Sequence, residues 1–258
     1  MDGSARGSSS LRVAIDGEVA VVEICEPPHN HLSLALMVDL VGEMAALSSD
    51  GCRCVMLCSA GRNFCAGANL QTFGLFADGA AAEFYALAAQ LFEVEMPIVA
   101  AVQGSAVGAG LGLALAADIR VACPGSRFVA NFARLGFHQG FGLSVTLPLA
   151  VGHGHALRMF YTGCRVEGTE AFDIGLCEAL VDEEDLRSRA MSIAHEIAGS
   201  APLAVRSIKQ TMRGPVSKQV RNILVREQLE QARLQQTADW SEGVSAVAER
   251  RVASFVGR

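Results

Sequence analysis

The stretch from Ala100 to Asp118 constrains the fold most. Pro97-Ile98-Val99-Ala100-Ala101-Val102 is apolar and ends at Gln103-Gly104; Ser105 to Ala117 is then built only from small and aliphatic residues, among them Gly108, Gly110 and Gly112. This pattern predicts a strand, a glycine turn and a buried helix. Glycines at a helix start let another backbone or a ligand come close. The first amides of a helix also lack internal partners and carry the positive end of its dipole. Gly61–Leu70 offers a second set of exposed amides, directly after the strand-like Arg53–Ser59. One N–H from each loop would make an oxyanion hole. The same glycines equally suit a small-residue helix packed tightly in a core, and spacing alone leaves both readings open. A dinucleotide fingerprint is disfavoured, because the sixth position counted from Gly108 is Leu113 and no acid follows about 20 residues on.

The chain has 258 residues, enough for one large domain or a domain with a helical appendage. Hydrophobic residues make up 51% and charged ones 19%, which points to a well-buried globular protein with further apolar surface hidden between subunits. A net charge of −6 without a long basic run argues against nucleic acid or an anionic membrane as partner. No apolar run is long enough for a bilayer, and Met1–Ser10 lacks a signal-peptide core, so a cytoplasmic protein is expected. The eight cysteines have no Cys-x-x-Cys pairing and are read as reduced core thiols. His29 and His31 have no acidic or sulfur neighbour at ligand spacing, so no metal site is expected there.

Strand and helix alternate along the chain, which favours an α/β fold with a mostly parallel sheet and covering helices. Leu11–Asp16 and Val19–Cys25 form a hairpin about Asp16-Gly17, and a helix runs from about Ser33 to Leu47 with Ser33 as its cap. Ala80–Phe92 is a helix and Ile119–Cys123 a strand. From Leu143 the chain reads largely helical, over Ser144–Val151, Gly154–Thr162, Thr169–Ile174, Glu184–Ser200, Ala201–Met212, Val216–Gln236 and Ser241–Phe255, with short extended pieces at Gly163–Glu167 and Leu180–Val181. Residues 1–10 are expected to be a frayed N-terminus, 11–200 a core and 201–258 a C-terminal helical region.

Phe64-Cys65-Ala66-Gly67-Ala68-Asn69-Leu70, followed by Ala100-Ala101-Val102-Gln103-Gly104-Ser105-Ala106-Val107-Gly108-Ala109-Gly110 and Ala117-Asp118-Ile119, resembles the enoyl-CoA hydratase/isomerase (crotonase) superfamily. The resemblance runs from about Leu11 to Arg251 and includes Asn30-His31-Leu32, Gly175-Leu176 and Asp239-Trp240-Ser241-Glu242-Gly243. It implies a crotonase spiral of ββα units with C-terminal helices that build a homotrimer or a hexamer of two trimers. It also implies an acyl-CoA or acyl-carrier-protein thioester as partner, with coenzyme A present as part of the substrate and no tightly bound cofactor. By motif, the oxyanion donors are the N–H groups of Ala68 and Ala109. His29, His31, Ala66, Ala68 and Leu70 match the family's nucleotide contacts, and Arg62 is placed to neutralise a phosphate. Phe73, Phe76, Phe84, Tyr85 and Leu87 would line the acyl pocket, together with Ser105, Gly112, Asn131 and Phe132.

The sequence departs from the hydratases at a decisive point: their two glutamates fall at Gly112 and Phe132. Ordinary hydration by paired carboxylates is therefore disfavoured, as is the glutamate-dependent isomerase mechanism. The chlorobenzoyl-CoA dehalogenases share the pattern Gly108-Ala109-Gly110-Leu111-Gly112 and an aromatic residue at Phe132, but their nucleophilic aspartate aligns with Gly140, which leaves displacement without a nucleophile. Phe128–Gly142 is similar to the crotonase-like decarboxylases of polyketide β-branching. These are described as using a lysine and a histidine, whereas Lys209 and Lys218 lie beyond the core and the histidine matches a position near Glu230. His138 is the titratable side chain of the active-site loop, suited either to shuttle a proton near neutral pH or to satisfy a buried carbonyl. Cys65 is read as packing, and Ser105 and Asn131 as polar contacts. The reading is an enolate-stabilising thioester enzyme that isomerises, decarboxylates or hydrates atypically; the alternative is a catalytically silent thioester-binding subunit.

Overall fold

A computed structural model describes residues 8–69 and 80–258. Leu70, Phe73 and Phe76 lie outside the described residues, as does most of the expected frayed N-terminus. The chain opens with strands β1 (Leu11–Asp16) and β2 (Val19–Ile24), antiparallel about Gly17 at φ +60°. Helix α1 (Leu34–Ser49) follows, and the Ser33 hydroxyl accepts from the Leu36 N–H at 3.1 Å. Such a cap is typically worth about 1 kcal/mol. Then come β3 (Cys54–Ser59), α2 (Ala80–Leu91), β4 (Ile98–Val102), β5 (Ser105–Val107), α3 (Ala109–Ala116), β6 (Ile119–Ala122) and β7 (Arg127–Val129). A 3₁₀ turn at Asn131–Leu135 leads to α4 (Leu143–Thr162), β8 (Arg165–Glu167), α5 (Gly168–Asp173), β9 (Ala179–Leu180), α6 (Leu186–Ala198), α7 (Pro202–Leu234) and α8 (Ala238–Ala248).

The main sheet has the order β1-β2-β3-β4-β6-β9 and is parallel from β2 onward. Both faces are buried at the central strands β3 and β4, which explains why β3 reads as an unbroken apolar run. Val55 and Leu57 face the larger core with α1 and α2, whereas Cys54, Met56 and Cys58 alternate to the opposite face, where Leu186, Ala190, Ala194 and Ala198 of α6 cover them. Burial holds the thiols of Cys54 and Cys58 up at about 12. A second sheet, β5-β7-β8, stands beyond the ends of the first. No helix of the described residues is long and apolar enough to cross a membrane.

The structure departs from the sequence reading in three places. The helix expected directly after Gly104 is preceded by strand β5, because Ser105–Val107 pairs in parallel with Arg127–Val129. The two helices expected on either side of Pro215 are one, α7. Proline in a helix interior typically costs about 3 kcal/mol. Tertiary anchors on both sides of Pro215 hold this helix together: Lys209 and Arg213 reach Asp118 at 2.8 and 3.2 Å, and Val220, Leu224, Glu227 and Gln231 are buried. Helix α8 begins three residues earlier than the sequence suggests, because Thr237 caps it by accepting from the Trp240 N–H at 3.1 Å, and it ends at Ala248 rather than Phe255. Around residue 152 the two-helix reading holds: α4 breaks at Gly152, at φ 78° and ψ 160°.

Candidate active site

The two glycine motifs are stapled together by backbone. The Cys65 N–H donates to the Ser105 carbonyl at 2.9 Å, and the Val107 N–H returns to the Cys65 carbonyl at 3.0 Å. Two glycines make this approach possible. A Cβ at Gly110 would collide with the Cys65 carbonyl, and one at Gly67, whose φ is +85°, would stand 2.5 Å from the Val107 carbonyl oxygen. The latter position is also 3.5 Å from the Ala109 nitrogen, so the loop that carries Ala68 runs beside the start of α3. Gln103 and Ser59 brace the first loop from below, donating to the carbonyls of Ser59 and Phe64 at 2.6 and 2.7 Å.

Ala109 is the first residue of α3, so its N–H has no partner within the helix. Neither it nor the Ala68 N–H has a hydrogen-bond acceptor among the described residues. Both residues line a cavity of about 70 Å³ together with Gly108, Asn131, Phe132, Phe84, Phe141, Tyr85 and Gln231. Two residues whose amides have no acceptor among the described residues thus line one mostly apolar space. The rest of α3 is buried, and its far end is held by arginine. Arg213 donates to the carbonyls of Leu115 and Ala116 at 3.1 and 3.0 Å, and Arg120 to that of Ala117 at 2.9 Å. Cations at this end complement the helix dipole whose positive pole faces the cavity.

The other sequence-predicted residues fall in several places. Phe84, Asn131 and Phe132 line the cavity, and Phe84 meets Phe141 edge-on with ring centroids 5.9 Å apart. Gly112 is not in the wall: a Cβ there would lie 2.6–2.8 Å from the Phe141 side chain, which fills the space a hydratase glutamate would need. Ser105 is also outside the lining, with its N–H donating to Asn63 at 3.2 Å. His138 is not among the lining residues either; its Nδ1 lies 2.7 Å from the Gln139 carbonyl oxygen, and its own carbonyl accepts from Gln231 at 2.9 Å. Cys65 is fully buried, which pushes its thiol up to about 12 and fits a packing role.

The loop before α1 runs alongside the first glycine motif. Ala66 donates to the His29 carbonyl at 3.0 Å, and His31 Nδ1 and the Leu32 N–H both lie 3.0 Å from the Gly67 carbonyl oxygen. Asn30, at φ 51° and fully buried, pins this loop by donating to the carbonyls of Ala60 and Asn63 at 2.8 and 2.7 Å. Arg62 is exposed.

Two residues of α7 belong to the site and were not singled out from the sequence. Gln231 accepts from the Tyr85 hydroxyl in the cavity wall. Glu227, fully buried, accepts from the N–H groups of Gly142 and Ser144 at 2.8 and 3.0 Å and so caps α4 from a distance. Burial raises its carboxyl above the ordinary value, against the lowering effect of those bonds. Tyr85 is the titratable side chain among the described lining residues, and burial with the nearby Glu227 holds its phenol well above its ordinary value. No group of three or more metal-ligating side chains occurs among the described residues.

Residues 14–258 match the family model described as enoyl-CoA hydratase/isomerase. The 1,2-epoxyphenylacetyl-CoA isomerase of Escherichia coli K12 is 31% identical over 217 residues, covering 81% of this chain and 83% of its own. The crotonyl-CoA hydratase of Syntrophomonas wolfei is 30% identical over 248 residues, covering 93% and 95%. Among solved structures, an enoyl-CoA hydratase/isomerase from Pseudoalteromonas atlantica T6c superposes with a TM-score of 0.87 at 31% identity, covering 96% of this chain and all of its own.

Proposed function

This chain belongs to the enoyl-CoA hydratase/isomerase family, and on that premise we propose that it binds an acyl thioester with the carbonyl oxygen between the N–H groups of Ala68 and Ala109 and stabilises the enolate formed there. The observation that carries this reading is that Ala68 and Ala109, whose amides have no acceptor among the described residues, line one mostly apolar cavity. Backbone donors fixed by the Cys65–Ser105 and Val107–Cys65 bonds need no reorganisation as charge develops on the oxygen. The described residues of the lining include no aspartate or glutamate, which supports isomerisation, decarboxylation or an atypical hydration over hydration by two carboxylates. An isomerase among the relatives supports the first of these.

Coenzyme A, or the arm of a carrier protein, enters along the His29–Leu32 loop and the Ala66–Ala68 backbone, with Arg62 exposed nearby for a phosphate. Apolar side chains that α7 leaves exposed, Leu203, Ile208, Met212, Val225 and Leu229, support a homotrimer or a hexamer of two trimers.

The test is deuterium incorporation at the α and γ carbons of a panel of acyl-CoAs in heavy water, read by mass spectrometry. Exchange with at least one thioester supports enolate chemistry. Loss of exchange in His138→Ala would make His138 the proton carrier despite its place outside the lining, and retention would assign that step to another group. Binding without exchange, hydration or loss of carbon dioxide would overturn the enzyme reading in favour of a silent thioester-binding subunit.

A further inference from the structure

Among the described residues, the cavity wall holds one further polar pair besides its amides and Asn131. Tyr85, from α2, and Gln231, from α7, are 7% and 2% exposed, and both line the cavity wall. The Tyr85 hydroxyl donates to the Gln231 side-chain oxygen, and Gln231 Nε2 donates to the His138 carbonyl at 2.9 Å. This arrangement uses the phenol proton and one of the two amide protons. It leaves the phenol oxygen able to accept and the second amide N–H able to donate. Both atoms converge beside Gly140, where a Cβ would lie inside contact distance of the phenol oxygen and 2.6 Å from Nε2. Glycine at this position lets the backbone pack directly against the two atoms, and all three residues line the cavity.

We propose that Tyr85 and Gln231 form a specificity-determining subsite for a neutral oxygen substituent, a hydroxyl above all, on the acyl chain of the thioester; this rests on the thioester-binding reading above. A hydroxyl both donates and accepts, which matches the free lone pair of Tyr85 and the free N–H of Gln231. A carboxylate matches poorly. The pair carries no positive charge to match one, and the nearby Glu227 carboxyl, one turn away on α7 and held by the Gly142 and Ser144 amides, supplies none. A plain hydrocarbon chain would leave the remaining lone pair of Tyr85 and the second N–H of Gln231 unused and shielded from water, which is a cost of its own. The subsite therefore ranks substrates: hydroxylated acyl chains first, unsubstituted chains next, chains bearing a carboxylate last. Among the reactions open to the enolate, this ranking favours those on hydroxylated or otherwise neutral oxygenated chains over decarboxylation.

Equilibrium binding of butyryl-CoA, 3-hydroxybutyryl-CoA, 4-hydroxybutyryl-CoA and succinyl-CoA to the full chain, measured by calorimetry, tests this. At least one hydroxybutyryl thioester should bind about fivefold or more tighter than butyryl-CoA, as expected for one well-made neutral hydrogen-bond pair, and succinyl-CoA should bind most weakly. The ratio should collapse toward one in Tyr85→Phe and in Gln231→Leu. Gly140→Ala, whose Cβ would displace the Tyr85 hydroxyl and Gln231 Nε2, should lower affinity for the hydroxylated ligands most. Equal binding of all four ligands, a preference for succinyl-CoA, or a hydroxyl preference that survives in both Tyr85→Phe and Gln231→Leu overturns the subsite while leaving thioester binding intact. Failure to bind any of the four overturns both.

Discussion

The Ala109 amide can be deleted without disturbing the fold, because Ala109 is the first residue of α3 and its N–H bonds to no other described residue. Ala109→Pro replaces that N–H by a ring carbon at a helix position where proline is well tolerated. The preceding residue, Gly108, is at φ 54° and ψ −117°, outside the helical region that a following proline disfavours. No intramolecular hydrogen bond is lost, so only a small change in melting temperature is expected. Catalysis should change much more. Removal of one oxyanion donor typically costs about 2.7–4 kcal/mol, or roughly 100- to 1,000-fold in rate, and the ring carbon also intrudes where the oxygen would sit. The assay is the rate of α-deuterium exchange on the best thioester of the panel, with Ala109→Gly as a control that keeps the N–H. A folded Ala109→Pro protein that exchanges within a few-fold of the parent would refute the assignment of this amide to the enolate oxygen.

Gly112→Glu, which restores a hydratase glutamate by alignment, should lower stability by about 1–3 kcal/mol and gain no hydratase activity, because its Cβ falls against Phe141; urea denaturation and crotonyl-CoA hydration measure the two effects. Asp118→Ala strands Lys209 and Arg213 around a missing partner and should cost about 3–5 kcal/mol, visible as a lower urea midpoint. Glu227 has a raised carboxyl in the folded chain. The folded state thus binds its proton more tightly than the unfolded state, and that contribution to stability is complete below about pH 4.5 and vanishes as pH rises through the raised value. Urea denaturation of the parent against Glu227→Gln across that range should show it, and a difference of opposite slope would contradict the assigned cause. A native thiol reagent at pH 7 should modify the half-buried Cys25 and Cys164 first and spare Cys54, Cys58, Cys65 and Cys177, whose thiols burial holds at about 12; peptide mapping decides this.

What was legible in the sequence was local. The alternation of apolar runs with glycine turns located β3, β4, α3 and the two amide-bearing loops, and Ser33 identified itself as a cap. Strand β5 was hidden because Ser105–Val107 has no pattern of its own; it is extended only because β7 and Cys65 offer partners from elsewhere in the chain. Pro215 misled for the same reason, since local preference ends a helix that distant ion pairs hold continuous. Gln231 and Glu227 were the residues of the site missed, although a signal existed. Val220, Leu224, Glu227 and Gln231 share one helical face, and polar residues that continue an apolar stripe are rarely buried without a task. Gly112 showed the limit of alignment: the position corresponds to a catalytic one, but the space beside it belongs to Phe141.

The grip of α7 on α3 sets an order in time. A ribosome delivers Ala68 and Ala109 long before Arg213, Glu227 and Gln231. The roughly 100 residues between the end of α3 and Arg213 take about 5–20 s to add at ordinary rates of synthesis. For that interval the nascent chain carries both donor loops, while the carbonyls of Leu115 and Ala116 lack Arg213 and the Gly142 and Ser144 amides lack their carboxylate. A chain arrested before Pro202 should accordingly hold a thioester much more weakly than the finished one. The protein would then engage its ligand only when synthesis is nearly over, its last long helix acting as the latch that ends assembly.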